Sequence, residues 1–397
     1  MIPITLPLFG PEEEQAAAAA IRSGWVTQGP QVAAFERAVA DYCGAAHAVA
    51  VSNCTTALHL ALLLHGIGPG DEVICPSMSF IATANSIRYT GATPIFAEVD
   101  PRTYNLDVEA ARAAITTRTK AILLVHQIGL PADLDDFYAL AEKRGLKIIE
   151  DAACAIGSKY RGRPIGSHAE TACFSFHPRK VITTGEGGII TTSRADFAER
   201  LRLLRQHGMS VSDAARHSSR KVVIESYECL GYNYRMTDIQ GAIGIEQMKR
   251  LAGIVARRRE LAARYSKALE GHPWLLAPFV PEWAEPNFQS YAVQLAPKAP
   301  VSRDDLMQSL LERGIATRRG IMLAHLEPAC ADLPPRHLPR SEQASTRSLL
   351  LPLYPQMTDD QQREVIAALG AVGQAHAAIA PPHSIGGIIN AAPVSRI

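Results

Sequence analysis

One lysine in the sequence stands where a side chain can act as a nucleophile. Lys180 lies between the apolar segment Ala172–Phe176 and the glycine turn Gly185–Gly188, which opens a second apolar segment. A lysine held between two such segments would be desolvated, which lowers its pKa and frees the neutral amine for attack on a carbonyl. A lysine at the solvated surface is the alternative, since lysines usually lie there.

A second segment has the composition of an anion-binding site. Ser52–Leu62 (SNCTTALHLAL) places small polar residues between a short apolar run and a helical pattern. The free N–H groups and the dipole at a helix N-terminus favour an anion such as phosphate. The alternative is that Asn53 or Thr55 only caps the helix, and the segment taken alone favours that interpretation.

Three further residues follow predicted strands, at the edge of the sheet where parallel sheets bind their ligands. Asp151 ends the strand KIIED, Phe80 follows the strand at Glu72–Cys75, and His177 closes the segment ACFSFH. Each has a structural alternative when taken alone: a cap or structural acid, a core aromatic, and a packed histidine. The polar segment Gly231–Gln240 (GYNYRMTDIQ), which leads into a long helical pattern, is a further candidate.

Pyridoxal phosphate (PLP) catalysis uses an anion cradle, a strand-end acid, a stacking aromatic and a buried lysine together. The lysine amine forms a Schiff base with the cofactor aldehyde, and the acid pairs with the pyridinium nitrogen so that the ring accepts electrons. The four features together therefore predict this cofactor better than any one of them does. No metal site is predicted, because the sequence lacks the H-E-x-x-H pattern. The G-x-S-x-G, G-x-x-x-x-G-K-[ST] and G-x-G-x-x-G patterns of other enzyme classes are also absent.

The elements that position these residues alternate between short apolar strands and amphipathic helices. Strands are predicted at 48–52, 72–75, 94–98, 121–125 and 147–150, and helices at 12–22, 32–42, 55–64, 81–89 and 135–143. Short continuous apolar strands separated by helices indicate a mainly parallel sheet that is covered on both faces. The predicted fold class is α/β.

Beyond residue 235 the pattern changes and indicates further units. Residues 237–270 form one long helical pattern, and the proline-rich segment 272–286 after it is typical of a domain junction. We predict a large α/β domain over residues 1–250, a small α+β domain over 251–372, and a loosely ordered tail over 373–397. The arginine cluster 257–259 is interpreted as a solvated helix face.

The amino-acid composition excludes several classes of protein. The 397 residues include 40 basic and 39 acidic side chains, and the net charge of +1 argues against a nucleic-acid-binding protein. Hydrophobic residues make up 47%, as in globular proteins, and no apolar run approaches the roughly 20 residues of a membrane helix. The seven cysteines form no C-x-x-C pair, and the first residues lack a signal-peptide pattern. We therefore expect a cytoplasmic protein without membrane or nucleic-acid partners.

Together these segments resemble the DegT/DnrJ-type sugar aminotransferase family of fold-type-I PLP enzymes. The similar segments run in the family's order over nearly the whole chain except the tail: Ser23–Pro30, Ser52–Leu62, Asp71–Ile87, Gly129–Asp135, Glu150–Ser167, Phe174–Gly188 and Gly231–Gly244. The resemblance implies a fold-type-I PLP-dependent transferase, with a large domain built on a mainly parallel sheet and a small α+β C-terminal domain.

The resemblance also implies a role for each candidate site residue. Lys180 would bind the cofactor aldehyde and then move the proton between the cofactor C4′ and the substrate carbon. Asp151 would keep the pyridine nitrogen protonated, and Phe80 would stack on the ring. Contacts with the phosphate would come from Cys54, Thr55 and Ser175. Asn233 would reach the cofactor phosphate of a neighbouring subunit, which makes a homodimer with shared active sites part of the expectation.

Members of the family differ from one another at three positions that matter for this sequence. Cys154 stands where the family usually carries Gln or His in contact with the cofactor, and a thiol is a poorer hydrogen-bonding group. This makes the cofactor contact of Cys154 doubtful and a small buried side chain the alternative. Cys54 stands where Gly or Ala is common, but its contact through the backbone N–H is independent of the side chain. Lys180 argues against the branch of the family that carries histidine there and catalyses 3-dehydration.

The expected reaction is a transamination in two halves. An amino acid donor, glutamate, gives its amino group to the cofactor, and a keto sugar, typically a nucleotide-linked 4-keto-6-deoxy sugar, receives it. One alternative is an aminotransferase for a cyclitol or another non-nucleotide ketone. Another is a non-catalytic PLP-binding regulatory protein, against which the Lys180–Asp151 pair argues. Tyr232, Arg235 and the segment 206–227 are candidates for substrate contacts, with a mobile surface loop as the alternative for the segment.

Overall fold

The computed structural model describes residues 1–211, 216 and 221–379, with the side chains of its last helix described to residue 372. The α-helices are α1 (Pro11–Arg22), α2 (Pro30–Cys43), α3 (Cys54–Leu64), α4 (Ala82–Tyr89), α5 (Val108–Ala113), α6 (Leu134–Arg144), α7 (Ala195–Leu204), α8 (Asp238–Ala268), α9 (Arg303–Glu312), α10 (Pro339–Arg347) and α11 (Asp359–Ile379). Short 3₁₀ helices span Gln127–Gly129, Ala324–Leu326 and Pro328–Cys330.

The strands are short, as the sequence pattern predicts. They are β1 (His47–Val51), β2 (Glu72–Pro76), β3 (Thr93–Ala97), β4 (Thr119–Val125), β5 (Lys147–Asp151), β6 (Lys159–Tyr160), β7 (Arg163–Pro164), β8 (Ala172–Ser175), β9 (Gly188–Thr192), β10 (Leu275–Leu276), β11 (Ala284–Glu285), β12 (Tyr291–Leu295), β13 (Arg318–Arg319) and β14 (Ser348–Leu351).

The central sheet has seven strands in the order β1-β9-β8-β5-β4-β2-β3. The pairs β8–β5, β5–β4, β4–β2 and β2–β3 are parallel, whereas β9 runs antiparallel to both of its neighbours. Five adjacent parallel strands therefore end at one edge of the sheet, which is where ligands bind in folds of this kind. The predicted α/β class with a mainly parallel sheet is confirmed.

Side chains of this sheet alternate between two apolar layers, because successive residues of a strand point to opposite faces. In β4, Ile122 and Leu124 join the layer that contains α2 and α6, while Leu123 and Val125 join the layer that contains α3 and α7. Both faces are thus buried, which explains why the strands appear in the sequence as continuous apolar runs.

A second, smaller core forms around an antiparallel sheet in the order β10-β12-β14-β13. Its buried residues come from this sheet, from α9 and α11, and from the last turns of α8. The predicted boundary at residue 250 falls inside α8, whose earlier turns pack on α1 and α2. Helix α11 continues through residues 373–379 of the predicted tail, and residues 380–397 lie outside the described part of the chain.

The prediction of a solvated arginine cluster is wrong for Arg258, which is only 1% exposed. Its Nη1 donates to the carbonyl oxygens of Phe288, Gln289 and Leu353, each at 3.2 Å. Consecutive residues of a helix point in different directions, so that three neighbouring arginines cannot share one face. Arg258 points into the smaller core, where carbonyl groups of a non-helical segment take the place of water.

The first residues of the chain add a backbone segment to this smaller core. Ile2 donates its N–H to the carbonyl of Gly314 at 2.7 Å and accepts a hydrogen bond from the N–H of Ala316 at 2.9 Å. The N–H of Leu353 donates to the carbonyl of Ile4 at 3.1 Å. Both ends of the described chain therefore contribute to the same unit.

Among the helices of the described residues, none combines the length and apolar character that crossing a membrane requires.

Candidate active site

The lysine singled out by its sequence position lies at the ligand-binding edge of the sheet. Lys180 follows β8, and its Nζ lies 3.1 Å from the Sγ of Cys154, which comes three residues after the end of β5. The backbone N–H of Lys180 donates to the carbonyl of His177 at 2.8 Å, which tightens the turn after β8. Lys180 and Cys154 therefore meet because β8 and β5 are parallel neighbours.

The pKa of Lys180 is raised above its usual value. Burial acts to lower this pKa, as the sequence argument expects, but interactions with Cys154 and with the carboxylate of Asp151 act to raise it, and the net direction is upward. The expectation of a lowered pKa is therefore wrong for this site, because desolvation of an ammonium group is outweighed when acidic groups surround it.

Asp151 is the last residue of β5 and is 5% exposed. Its Oδ2 accepts a hydrogen bond from the Oγ1 of Thr83 at 3.0 Å, and its Oδ1 accepts one from the N–H of Ala153 at 3.1 Å. Burial raises the pKa of the carboxyl group, while the two donors and the charge of Lys180 act in the opposite direction. A cation that approaches this edge of the sheet would find an oriented carboxylate.

The N-terminus of α3 leaves backbone donors for an anion. Asn53 caps the helix, since its side chain accepts a hydrogen bond from the N–H of Thr56 at 3.0 Å. The N–H groups of Cys54 and Thr55 precede this bond, and a helix offers its first N–H groups no partner of its own. The capping and anion-binding interpretations of this segment are therefore compatible, because they use different N–H groups.

Cys54 itself contributes a buried, neutral thiol. Its side chain is 8% exposed, and its Sγ lies 3.6 Å from the carbonyl oxygen of Cys173 in β8. Burial raises the pKa of this thiol well above its usual value. The thiol packs the helix against the sheet, which leaves the backbone N–H as the group of Cys54 that can face an anion.

Ser175 is brought beside the start of α3 by a glycine in the neighbouring strand. Ser175 pairs with Gly188 between β8 and β9. A Cβ atom on Gly188 would lie 2.3 Å from the carbonyl atoms of Asn53 and 2.7 Å from the nitrogen of Cys54. Such distances exclude any side chain, so that Gly188 allows β9 and the N-terminus of α3 to approach closely.

Other predicted site residues lie outside this buried group. Phe80 is 61% exposed, and Asn233 is exposed next to Tyr234, whose carbonyl accepts the N–H of Ser52 at 2.8 Å. His177 lies 4.0 Å from Glu186, and burial lowers the pKa of this histidine. Of the segment 206–227, residues 212–215 and 217–220 lie outside the described part of the chain.

The sequence argument missed three residues that support this site. Thr83 holds Asp151, and Asn287 donates from Nδ2 to the carbonyls of Cys154 and Ile156, each at 2.8 Å. His126 follows β4 and donates its N–H to the carbonyl of Asp151 at 3.0 Å. His126 occupies a strand end and was accessible to the same rule that found Asp151, whereas Asn287 lies far along the chain in a segment without a pattern.

The chemistry of these groups fits PLP. The N-terminus of α3 and the Ser175 hydroxyl offer donors to a phosphate, Asp151 offers a carboxylate to a protonated ring nitrogen, and Lys180 offers an amine to an aldehyde. Within the described residues, no cluster of His, Cys, Asp and Glu side chains could hold a metal ion. The polar groups at this edge of the sheet thus have the order and type that a phosphorylated pyridine aldehyde requires.

Comparison with known proteins agrees with this assignment. Residues 7–370 match the model of the DegT/DnrJ/EryC1/StrS aminotransferase family. The spore coat polysaccharide biosynthesis protein SpsC of Bacillus subtilis (strain 168) is 41% identical over 373 residues, which cover 93% of this chain and 96% of SpsC.

Solved structures have the same fold. S. venezuelae DesV, in complex with a ketimine intermediate, is 38% identical with a TM-score of 0.83, over 91% of this chain and 94% of DesV. The PLP form of Spr1654 from Streptococcus pneumoniae is 27% identical with a TM-score of 0.88, over 94% of this chain and 99% of that one. The chain belongs to the DegT/DnrJ/EryC1/StrS aminotransferase family and is a PLP-dependent aminotransferase of fold type I.

Proposed function

We propose that this enzyme transfers the amino group of glutamate to a nucleotide-linked 4-keto-6-deoxy sugar. The relationship to SpsC, a protein of polysaccharide biosynthesis, supports a sugar as the acceptor. The net charge of only +1 is compatible with an anionic substrate, because helix N-termini and individual basic side chains supply positive charge locally.

The observation that carries the proposal is the placement of Lys180 and Asp151 at the ends of the neighbouring strands β8 and β5. When bound, the cofactor supplies an electrophilic carbon and an electron-accepting ring. We assign the proton transfer at the substrate carbon to Lys180 Nζ, since a neutral amine that is released from a covalent bond can act as a general base. Asp151 holds the ring nitrogen in its protonated form.

The remaining site residues bind the cofactor and orient it. The N–H groups of Cys54 and Thr55 and the hydroxyl of Ser175 hold the phosphate at the N-terminus of α3. The exposed ring of Phe80 stacks on the cofactor. In the bound enzyme, the thiol of Cys154 would lie near the cofactor, beside Lys180.

We also propose a homodimer in which Asn233 contacts the cofactor phosphate of the partner subunit. Asn233 is exposed, so that its side chain is accessible to a second copy of the chain. Two inactive variants test this arrangement, Lys180→Ala and Asn233→Ala. If each site combines Lys180 of one subunit with Asn233 of the other, subunit exchange between the two variants produces some sites with both residues intact, and activity returns. Continued inactivity of verified mixed dimers would contradict the shared site.

The substrate assignment requires a separate experiment. The PLP-loaded protein is mixed with glutamate, and the change in cofactor absorbance reports the first half-reaction. The aminated form is then mixed with a panel of nucleotide-linked keto sugars and with cyclitol ketones, with Lys180→Ala as the control. Turnover of a nucleotide-linked 4-keto-6-deoxy sugar is expected. Turnover of cyclitol ketones alone would favour the alternative acceptor, and failure of the first half-reaction with all amino donors would favour a non-catalytic protein.

A further inference from the structure

A second polar cluster, buried at Ser77 and His325 and partly exposed at Glu342, joins the C-terminal part of the chain to the segment that follows β2. The Oγ of Ser77 is hydrogen-bonded to the Nδ1 of His325, and the Nε2 of His325 lies 3.3 Å from the Oε1 of Glu342. Ser77 is 0% exposed and the side chain of His325 is 3% exposed. The three residues come from the end of β2, the 3₁₀ helix Ala324–Leu326 and α10.

The carboxylate at the end of the cluster fixes the direction of its hydrogen bond with His325. Glu342 also accepts a hydrogen bond from the N–H of Leu338 at 3.1 Å, and this donor lowers the pKa of the carboxyl group. An ionised carboxylate only accepts hydrogen bonds, so that the Nε2 of His325 must donate. When the ring carries a single proton, Nδ1 is then the acceptor and the hydroxyl of Ser77 donates to it.

Serine, histidine and glutamate hydrogen-bonded in this order are the residue types of a serine hydrolase triad. The burial of Ser77 excludes hydrolase chemistry here. A nucleophilic serine must be reached by its substrate, and a reacting carbonyl must approach to about 3–3.5 Å. Ser77 has no exposed surface, so that no substrate carbonyl can reach its hydroxyl. The cluster therefore fixes the position of the polypeptide chain and does not react with an ester or an amide.

Residues 77 and 78, which the cluster holds, are also fixed through their backbone. The N–H of Ala324 donates to the carbonyl of Ser77 at 2.8 Å, and Met78 forms an isolated antiparallel bridge with Leu323. The side-chain amide of Gln127 donates to the carbonyl of Met78. Residues 77–78 are thus held from the C-terminal part of the chain on one side and from the end of β4 on the other.

The residues directly after this anchor belong to the active site. The hydroxyl groups of Ser79 and Thr83 lie 2.7 Å apart, and Thr83 donates to Asp151 at 3.0 Å. Phe80 lies between them and is 61% exposed, so that its own packing contacts contribute little to its position. The location of the Phe80 ring therefore depends on the backbone of residues 77–83.

We propose that Ser77, His325 and Glu342 are positioning residues that fix residues 77–83 for cofactor binding and transamination. The proposal rests on the roles of Phe80 and Asp151 in the proposed function. Through this cluster, the C-terminal part of the chain sets the geometry of the segment that follows β2 of the central sheet.

The test compares variants of the cluster with a matched control. His325→Ala and Ser77→Ala remove the link, and Glu342→Gln keeps an acceptor for His325 that Glu342→Ala removes. His337→Ala is the control, because His337 lies 3.9 Å from the same carboxylate but its side chain is 84% exposed. Hydrogen–deuterium exchange of residues 78–83 is measured in the protein without cofactor, and the Kd of PLP is measured by fluorescence titration.

We expect Ser77→Ala and His325→Ala to increase exchange at residues 78–83 and to weaken PLP binding by about tenfold, the effect of one lost buried hydrogen bond. His337→Ala should change neither quantity, and Glu342→Gln should lie closer to the wild type than Glu342→Ala. If His325→Ala does not fold, Ser77→Ala decides, since it removes a single oxygen atom.

Two results would overturn the proposal. One is unchanged exchange at residues 78–83 in Ser77→Ala. The other is a lower thermal midpoint with an unchanged Kd of PLP, which would indicate a purely structural role. A wild-type protein that binds no PLP would instead refute the proposed function, and the exchange measurement would still decide whether the cluster fixes residues 78–83.

Discussion

Lys180 Nζ lies 3.1 Å from the sulfur of Cys154, and the two residues approach from the ends of neighbouring parallel strands. A thiol is a weak hydrogen-bond donor and acceptor, so that it constrains the position of an adjacent amine only loosely. The contact therefore concerns the protonation of Lys180 more than its position.

Cys154→Ala should lower the pKa of Lys180. Burial acts to lower this pKa and Cys154 is a main opposing influence, so that removing the thiol leaves burial less opposed. Only the neutral amine attacks the cofactor aldehyde, and a lower pKa increases its fraction at every pH below the pKa. The rate of PLP attachment to the cofactor-free protein, followed by stopped-flow absorbance, should reach its midpoint at a lower pH. An unshifted midpoint, equal to that of the control Cys229→Ala, would contradict this.

Asp151→Asn should reduce transamination by about 10²–10³-fold, the effect of removing one preorganised electrostatic group from an active site. An amide cannot hold a positive charge on the ring nitrogen as a carboxylate does, although it keeps the size of the side chain. Steady-state kcat/KM with glutamate is the measurement. Asp41→Asn, an exposed carboxylate on α2, is the control. Unchanged turnover in Asp151→Asn would remove Asp151 from the catalytic residues.

Gly188→Ala should displace the N-terminus of α3 and weaken PLP binding. The added methyl group would lie 2.3 Å from Asn53 backbone atoms, and overpacking of this kind costs about 1–3 kcal/mol, or about tenfold or more in the Kd. Gly253→Ala is the matched control, because no other part of the protein lies within 4 Å of its Cβ position. That control should stabilise α8 by about 0.5–1 kcal/mol. Equal PLP affinity in the two variants would refute the close approach.

Arg258→Met should lower the free energy of unfolding by about 2–4 kcal/mol, because buried carbonyl groups lose their donor. The apolar replacement keeps most of the length of the side chain, so that the lost hydrogen bonds dominate. Urea unfolding is the measurement. Arg363→Met removes an exposed pair with Asp360 and should cost no more than about 1 kcal/mol. A similar small cost for both variants would show that Arg258 contributes little.

The sequence predicts the elements and the strand-end residues well, because both depend on local patterns. The strands up to Asp151 are apolar and short, and the ends of parallel strands meet by geometry. Lys180, Asp151 and the start of α3 could therefore be found before any coordinates.

Contacts between distant segments could not be found in this way. Arg258 belongs to a run of charges that usually lies in water, and its burial depends on carbonyl groups 30 and more residues away. The net rise in the pKa of Lys180 depends likewise on Cys154 and Asp151, which the fold brings to it. Such effects are determined by tertiary packing, which a local sequence pattern does not reveal.

The hydrogen bonds of Ile2 with residues 314 and 316 have a consequence for synthesis of the protein. The partners of Ile2 lie more than 300 residues further along the chain and are therefore made long after it. Contacts of such long sequence separation slow folding, because a large loop must close before they form. We expect the central sheet, whose strands lie within residues 47–192, to form before the smaller core is complete. A bulky N-terminal fusion would then delay this last step rather than the first.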